Sequence, residues 1–417
     1  MADAEKTRRQ QDLVLATATS TLAETGAAVK ELKCQLGIGH AGPADFVALH
    51  HGAARPVTEL WPHAVEAFDT GALHGGSSCL GIMTEKGVLN ACGAALGALA
   101  IWDPDGSYGS AMVTLGNDPR LAGVEATRQA LVRADRPGEA PDLVWLTATP
   151  GQEEAILEGI KDVIGWSALI VGGSAADNTV AGDWSVFSSE GMSDAAVVVS
   201  VLFPSTPVGC AFGSGYAPTR TRGIVTDAED RRLLRIDGRP AAEVYAEWTG
   251  ENIARPITGA RSILSEATLK PLGRRYAEIS DVPLHLLAHP AVMHADGGID
   301  LFAEMSVGEE IYLMEGSEAS LVNRAERIAG NSREQLGNTP VAGALMVYCG
   351  GCTMAIPDRI NEIATGVSKS LGGMPFLGVF SFGEQGDLLY GESTHGNLMI
   401  SCTTFGCNQA QGQWSSR

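Results

Sequence analysis

The sequence predicts an α/β protein: an internally duplicated N-terminal α/β domain with mixed sheets, followed by a smaller α/β C-terminal domain. Three observations predict it. Short apolar runs rich in strand-favouring residues alternate with stretches of helical period. An apolar run ends in Gly-Gly-Ser twice, at Gly75-Gly76-Ser77 and at Gly172-Gly173-Ser174. The stretches leading into these two corners align without a gap at an offset of 97 residues. At 417 residues, with 45% hydrophobic and 19% charged residues and 51 glycines, the chain has the length for about two or three domains, each with a core.

In the first copy, Leu13-Val-Leu-Ala16 reads as a strand and Leu22 to Leu32 as a helix. Asp45-Phe-Val-Ala-Leu49 is the next strand, and Val57, Leu60, Trp61, Ala64 and Phe68 share one face of the next helix. A strand then enters the first corner, and a hairpin ends in Ala94–Ile101. The second copy repeats the order. Ala111-Met-Val-Thr-Leu115 is followed by a helix from Val124 to Val132, and the strand Asp142-Leu-Val-Trp-Leu146 by a helix with Ile156, Leu157, Ile160, Val163 and Ile164 on one face. After the second corner a hairpin ends in Ala195–Phe203. The copies span about 12–103 and 109–204. Any two βαβ units share crossover helices of similar length, but Gly-Gly-Ser at the same place in both favours duplication.

Residues 204–240 form an irregular run ending Ile236-Asp-Gly-Arg-Pro240, which places a boundary between domains at 12–240 and 241–405. Beyond it come a helix at Ala241–Trp248, strands at Leu284–Leu287, Leu301–Met305 and Ile311–Met314, and a helix around Ser320–Ile328. A strand at Gly343–Tyr348, a helix at Asp358–Leu371 and strands at Phe376–Phe382 and Leu398–Thr404 complete the chain. Residues 1–11 read as an extension and 406–417 as a polar, disordered tail.

A net charge of −20 repels a phosphate backbone, so no nucleic-acid partner is expected. MADAEKTRRQQ carries no secretory pattern, and no run of about 18 apolar residues exists, so a cytoplasmic protein without membrane contact is expected. The eight cysteines are too dispersed for a disulfide scaffold. Surface charge leaves an oligomer possible.

Together with the paired corners, Ile236-Asp-Gly-Arg-Pro-Ala-Ala-Glu-Val-Tyr245 resembles the N-terminal half of FIST-domain sensory proteins. Cys349-Gly-Gly-Cys352, Gly378-Val-Phe-Ser-Phe-Gly-Glu-Gln-Gly386 and His395-Gly-Asn-Leu-Met-Ile-Ser401 resemble the C-terminal half. The resemblance implies a small-ligand sensor for metabolites such as amino acids. One branch of the family is a haem-dependent nitric oxide sensor that regulates a histidine kinase or a cyclic-di-GMP enzyme. This chain has no kinase pattern of its own, so its output is expected to pass through a partner signalling protein such as a histidine kinase.

Several residues are candidates for contact with a small-molecule ligand. Glycines at strand ends let a ligand approach the backbone, which singles out Gly75, Gly76, Ser77, Gly172, Gly173 and Ser174, with Asp177 available to an amine. The same glycines could equally serve a turn. Glu384, His395 and Asn397 combine an acid, an imidazole and an amide that could recognise a polar ligand or lock two strands together. Cys349 joins this set, and with Cys352 it could chelate a metal, cycle as a disulfide or simply be a buried thiol. His289 and His294 lie in an apolar setting that would suit a metal or an axial haem ligand, and His50, His51 and His74 lie near strand ends. Haem is therefore possible, with the cofactor otherwise unknown. With no Gly-x-Ser-x-Gly, H-E-x-x-H or P-loop, the chain is expected not to be an enzyme, a composite Cys349/His395/Glu384 site being the one catalytic arrangement on offer.

Overall fold

The computed structural model describes residues 12–38, 42–166, 168–250, 253, 258–279, 282–388 and 392–407. The N-terminal extension and residues 408–417 of the tail lie outside the described residues. The first copy consists of β1 (Val14–Ser20), α1 (Thr25–Leu36), β2 (Phe46–Gly52), α2 (Val57–Ala67), β3 (Leu73–Ser78), the hairpin β4 (Ile82–Thr84) and β5 (Gly87–Leu89), and β6 (Leu96–Trp102). The second repeats it as β7 (Ser107–Thr114), α3 (Pro119–Arg133), β8 (Leu143–Ala148), α4 (Glu153–Ile164), β9 (Ile170–Gly173), the hairpin β10 (Val186–Ser188) and β11 (Gly191–Ser193), and β12 (Ala196–Phe203).

The structure adds a third copy, which an insertion splits. It opens with β13 (Val208–Ser214). The insertion holds β14 (Ala217–Glu229), β15 (Arg232–Ile236), β16 (Arg239–Pro240), α5 (Ala241–Trp248), β17 (Ala260–Ser262) and α6 (Leu264–Ala267). It continues through β18 (Leu272–Ile279), β19 (Val282–Ala288), β20 (Pro290–His294), β21 (Ile299–Leu301) and β22 (Glu310–Glu315), and its strands form one nine-stranded sheet. The third copy resumes with α7 (Glu318–Glu334), β23 (Val341–Cys349), α8 (Gly350–Ala355), α9 (Ile360–Ser370), β24 (Phe376–Ser381), the hairpin β25 (Glu384–Asp387) and β26 (Ser393–Gly396), and β27 (Met399–Gly406).

Each copy builds the same four-stranded sheet, in the orders β1-β6-β2-β3, β7-β12-β8-β9 and β13-β27-β23-β24. In each, the last two strands are parallel and a helix makes the crossover that parallel pairing requires. That arrangement leaves β3, β9 and β24 as open edges, and an open edge exposes unpaired N–H and C=O groups. The three copies close one another's edges in a ring: β10 pairs with β3, β25 with β9 and β4 with β24. The mixed α/β architecture read from the sequence is borne out.

One buried cluster joins the inner faces of all three sheets, with Phe46, Leu99 and Ile101 from the first, Trp145 and Val171 from the second, and Leu345, Val347 and Leu377 from the third. Each such side chain contributes about 1.5–3 kcal/mol on full burial. Where the sheets meet, three backbone bonds repeat the ring: Ala176 N–H donates to Ser77 O at 3.1 Å, Cys79 N–H to Phe380 O at 3.0 Å, and Phe382 N–H to Ser174 O at 3.2 Å. Two glycines are required by close approach here. A Cβ on Gly172 would lie 1.9 Å from Leu146 O of the neighbouring strand, and one on Gly75 would lie 2.1 Å from the Phe187 ring.

Candidate functional site

The corners are buried inside this junction. Ser77 donates its N–H to Ser185 O at 2.8 Å, and its hydroxyl accepts Ser185 N–H at 3.0 Å. Ser174 donates its hydroxyl to Glu153 Oε1 at 2.6 Å. Asp177 accepts backbone N–H bonds from Thr179, Val180, Ala181, Gly182 and Asp183, so both of its oxygens shape the loop that follows the second corner. Burial works to raise the Asp177 pKa, but those N–H groups outweigh it and hold the carboxyl below its usual range. Gly75, Gly76, Gly172 and Gly173 lie in buried strands.

The third copy departs from the other two at its second strand and its hairpin. Cys349 ends β23 and is the residue from which α8 starts, and Cys352 lies within the first turn of α8. By register Cys349 faces Ser381, the place held in the first copy by Gly52 facing Ser78. The hairpin pair Gln385 and His395 occupies the place of Met83 and Val88 in the first copy and of Phe187 and Met192 in the second.

A cleft opens where the insertion, the third copy and the loop after Asp177 meet. Its mouth, about 260 Å³, is lined by Thr179, Val180, Ser262, Leu264, Thr268 and Met354 among others. Val180, Leu264, Gly351 and Met354 also border a narrow inner end of about 20 Å³, walled by His289, Phe302, Cys349, Phe382 and Asn397. All the residues lining both parts lack a charge at neutral pH, His289 included.

The inner wall is polar but electrically quiet. His289 Nε2 lies 2.9 Å from Leu264 O, and since a carbonyl only accepts, Nε2 carries the hydrogen and Nδ1 the lone pair. Burial pushes the His289 pKa down to about 4, so the ring is neutral. Asn397 Oδ1 accepts the backbone N–H of His289 at 3.2 Å, and its Nδ2 donates to Phe302 O at 3.3 Å. His395 Nε2 meets the same carbonyl at 3.3 Å, while its Nδ1 accepts from Gln385 Nε2 at 3.2 Å. His395 and Asn397 thus both hold the insertion at Phe302.

Glu384 is fully buried. Its oxygens accept from Ser381 Oγ at 2.6 Å and from Met399 N–H at 2.9 Å. Burial, and then the Cys349 thiol beside it, push its pKa well above the carboxylate range. Burial and the neighbouring Cys352 push the Cys349 thiol well up in turn. Tyr216 donates its hydroxyl to Thr268 O at 2.8 Å, which leaves its oxygen to accept from the Cys352 thiol, 3.5 Å away.

Below the cleft, Arg231 of the insertion reaches Glu153 at 2.6 Å and also pairs with Glu154. Burial works against ionised Glu153 and Glu154, but the Arg231 charge together with the field of His395 prevails, holding Glu154 down at about 2. Among the described residues, Glu153, Glu154 and His395 form the one group whose ligand atoms converge as a metal site would require. The guanidinium of Arg231 already supplies the positive charge there. Sequence reading missed Arg231, Glu153 and Glu154, whose pairing spans more than seventy residues, and Phe302, which acts through a backbone carbonyl and so leaves no side-chain signal.

Of the expected metal ligands, Cys349 and His289 line the cleft and Cys352 lies behind its wall against Tyr216, whereas His294 binds Asp300 at 2.7 Å on the neighbouring strand of the insertion. These positions do not fit a haem. The inner end, about 20 Å³, is far smaller than a macrocycle. His50, His51 and His74 are buried between the first and second sheets, with His74 bonded to Ser200 at 2.7 Å and Thr147 at 2.8 Å. No helix among the described residues is long and apolar enough to cross a membrane.

A family model for the FIST N domain matches residues 45–239, and one for the FIST C domain matches residues 241–387. No curated protein matches the chain. Among solved structures, cyanuric acid hydrolase from A. caulinodans aligns over 94% of this chain and 99% of its own, at 10% identity and a TM-score of 0.37. The expectation that the chain is not an enzyme is corrected and no longer stands. The physical reason is that absent local motifs exclude only sites written in one stretch, whereas here residues 289, 349 and 397 meet from separate segments. At that TM-score the likeness carries no argument about a reaction.

Proposed function

Because the chain belongs to the FIST family, whose domains are small-ligand-binding sensors of signal transduction, we propose that it binds a small, net-neutral metabolite of amino-acid type in the cleft above Cys349. The observation that carries this reading is the convergence of three parts of the chain on one uncharged cleft. Its size lies below the range of about 300–1,000 Å³ common for drug-sized ligands. His289 Nδ1 offers an acceptor, while Leu264, Met354 and Phe382 offer an apolar wall. A ligand touching both the insertion and the third copy favours whichever arrangement gives it the most contact, and that differential affinity is the signal. The signal then passes to a partner protein such as a histidine kinase, in a reducing cytoplasm that suits the unbridged Cys349 and Cys352.

Thermal unfolding of the full chain against the set of proteinogenic amino acids tests this. A true ligand at about 100 times its Kd adds about 2.7 kcal/mol. Gly351→Val, which pushes into the throat between His289 and Cys349, should abolish that gain while leaving the ligand-free melting temperature within a few degrees. Equal stabilisation of the variant and the parent would move the site elsewhere, and no stabilisation by any amino acid would reject the ligand class.

A further inference from the structure

We propose that Cys349 and Cys352 are a peroxide-oxidised thiol pair, closing to a disulfide at the inner end of the cleft and thereby regulating the cleft. The placement follows from the local fold. Cys349 caps α8 and Cys352 sits three residues on, and on a helix the cap side chain and the third residue lie on the same face, as in a capping box. The strand-to-helix corner therefore sets the two sulfurs side by side, and Gly351 keeps bulk away from Cys349, since a Cβ there would lie 3.6 Å from its Sγ. Cys349 forms part of the inner wall, and about 20 Å³ of space there accepts one small molecule, since a water needs roughly 10–15 Å³. A peroxide is of that size and carries no charge, which suits the uncharged approach.

The chemistry balances with hydrogen peroxide as the oxidant. The Cys349 sulfur forms an S–O bond as the O–O bond breaks, and the thiol proton leaves with the departing oxygen as water. The Cys352 sulfur then displaces the remaining oxygen, so that an S–S bond forms, the S–O bond breaks, and the second thiol proton leaves in a second water. Two thiols are oxidised by two electrons and one peroxide is reduced. Both sulfurs are buried and Cys349 is held as a neutral thiol, so the reaction waits on opening of the cleft and quickens as pH rises. An occupant in the mouth shields the pair, and a disulfide in the inner wall alters the surface a ligand meets. That regulatory consequence rests on the reading of the cleft as the ligand site, whereas formation of the bond does not.

The test is hydrogen peroxide treatment of the full, folded chain, followed by alkylation of remaining thiols and peptide mapping. The exposed Cys34 and Cys92 report that the oxidant has acted. The expected result is a peptide linked through Cys349 and Cys352. In Cys352→Ser, Cys349 stops as a sulfenic acid that dimedone traps. Oxidation at Cys34 and Cys92 with both inner thiols still alkylatable after unfolding would overturn the proposal, and parent protein alone decides this if the variant does not fold. Amino-acid stabilisation measured before and after oxidation should be lost in the oxidised form. Equal stabilisation in both forms would overturn the regulatory part, and none in either form would reject the ligand reading and its regulation while leaving the mapped disulfide standing.

Discussion

The first two hairpins and the third occupy equivalent places in a ring of exchanged strands, yet they meet their neighbours with different chemistry. Met83 stands opposite Val88 and Phe187 opposite Met192, whereas the third hairpin sets Gln385 opposite His395 and begins with the buried acid Glu384. An apolar pair at this place is enough to close a sheet edge. The polar pair closes the edge as well, and in addition it reaches Ser174 in the second copy and Phe302 in the insertion. The repeated copies therefore account for the scaffold, and the cleft lies where one copy breaks the repetition.

The most damaging way to break that comparison is to remove the charge that makes the polar side tolerable. Arg231→Ala leaves Glu153 ionised and buried beneath His395, and an uncompensated buried charge costs about 3–5 kcal/mol. Denaturant unfolding should show a loss of that order. A loss under about 1 kcal/mol would mean that the third hairpin holds the insertion without the ion pair.

Arg231 also shows where legibility in the sequence ended. Strands such as Phe46–Gly52 and Leu143–Ala148 and the helices after them were readable because their pattern is local. The third copy follows the same plan, but the insertion separates β13 from β23, so no fixed offset aligns it with its siblings. The site letters His289, Cys349, His395 and Asn397 were visible one by one. Their convergence depends on pairings across the ring and on a carbonyl at Phe302, neither of which leaves a short-range trace.

A second contrast sets the neutral polar core between the first and second copies against the ionised network beneath the third hairpin. Burial pushes His50 down to about 3 and His51 to about 4, and drives His74 lower than its ordinary value too. The folded chain refuses protons that the unfolded chain takes up below its ordinary pKa of 6.5. Their stabilising effect is therefore complete above pH 6.5 and is lost as pH falls from there toward 4 and 3, by up to about 1.4 kcal/mol per pH unit for each histidine. Replacing His50 by Gln should flatten the slope of stability against pH between 6.5 and 4 by about that amount. An unchanged slope would show that His50 is as easily protonated when folded as when unfolded.

Gly172→Ala probes the shared part of the design. Its new Cβ would meet the Leu146 carbonyl in the parallel ladder of the second copy, and crowding of this kind costs about 1–3 kcal/mol. The same substitution at Gly351 meets nothing nearer than 3.4 Å and should cost less than half as much. Parity between the two in a melting experiment would remove close packing as the reason for the corner glycine.

The smallest effect should come from making the third hairpin resemble the first, with Gln385→Met and His395→Val together. Removing both partners of a buried hydrogen bond in favour of apolar groups of similar shape is nearly neutral, whereas removing one leaves the other stranded. Gln385 and His395 are such partners, and Phe302 O keeps a donor in Asn397 Nδ2. Stability should stay within about 1 kcal/mol of the parent, while His395→Val alone should cost somewhat more than the pair because Gln385 Nε2 then keeps only its longer bonds, to Gly383 O at 3.3 Å and Ser174 Oγ at 3.5 Å. If instead the double variant loses several kcal/mol and the single one little, the polar pair is part of the scaffold. The third hairpin would then differ from its siblings in how it folds and not in what it binds.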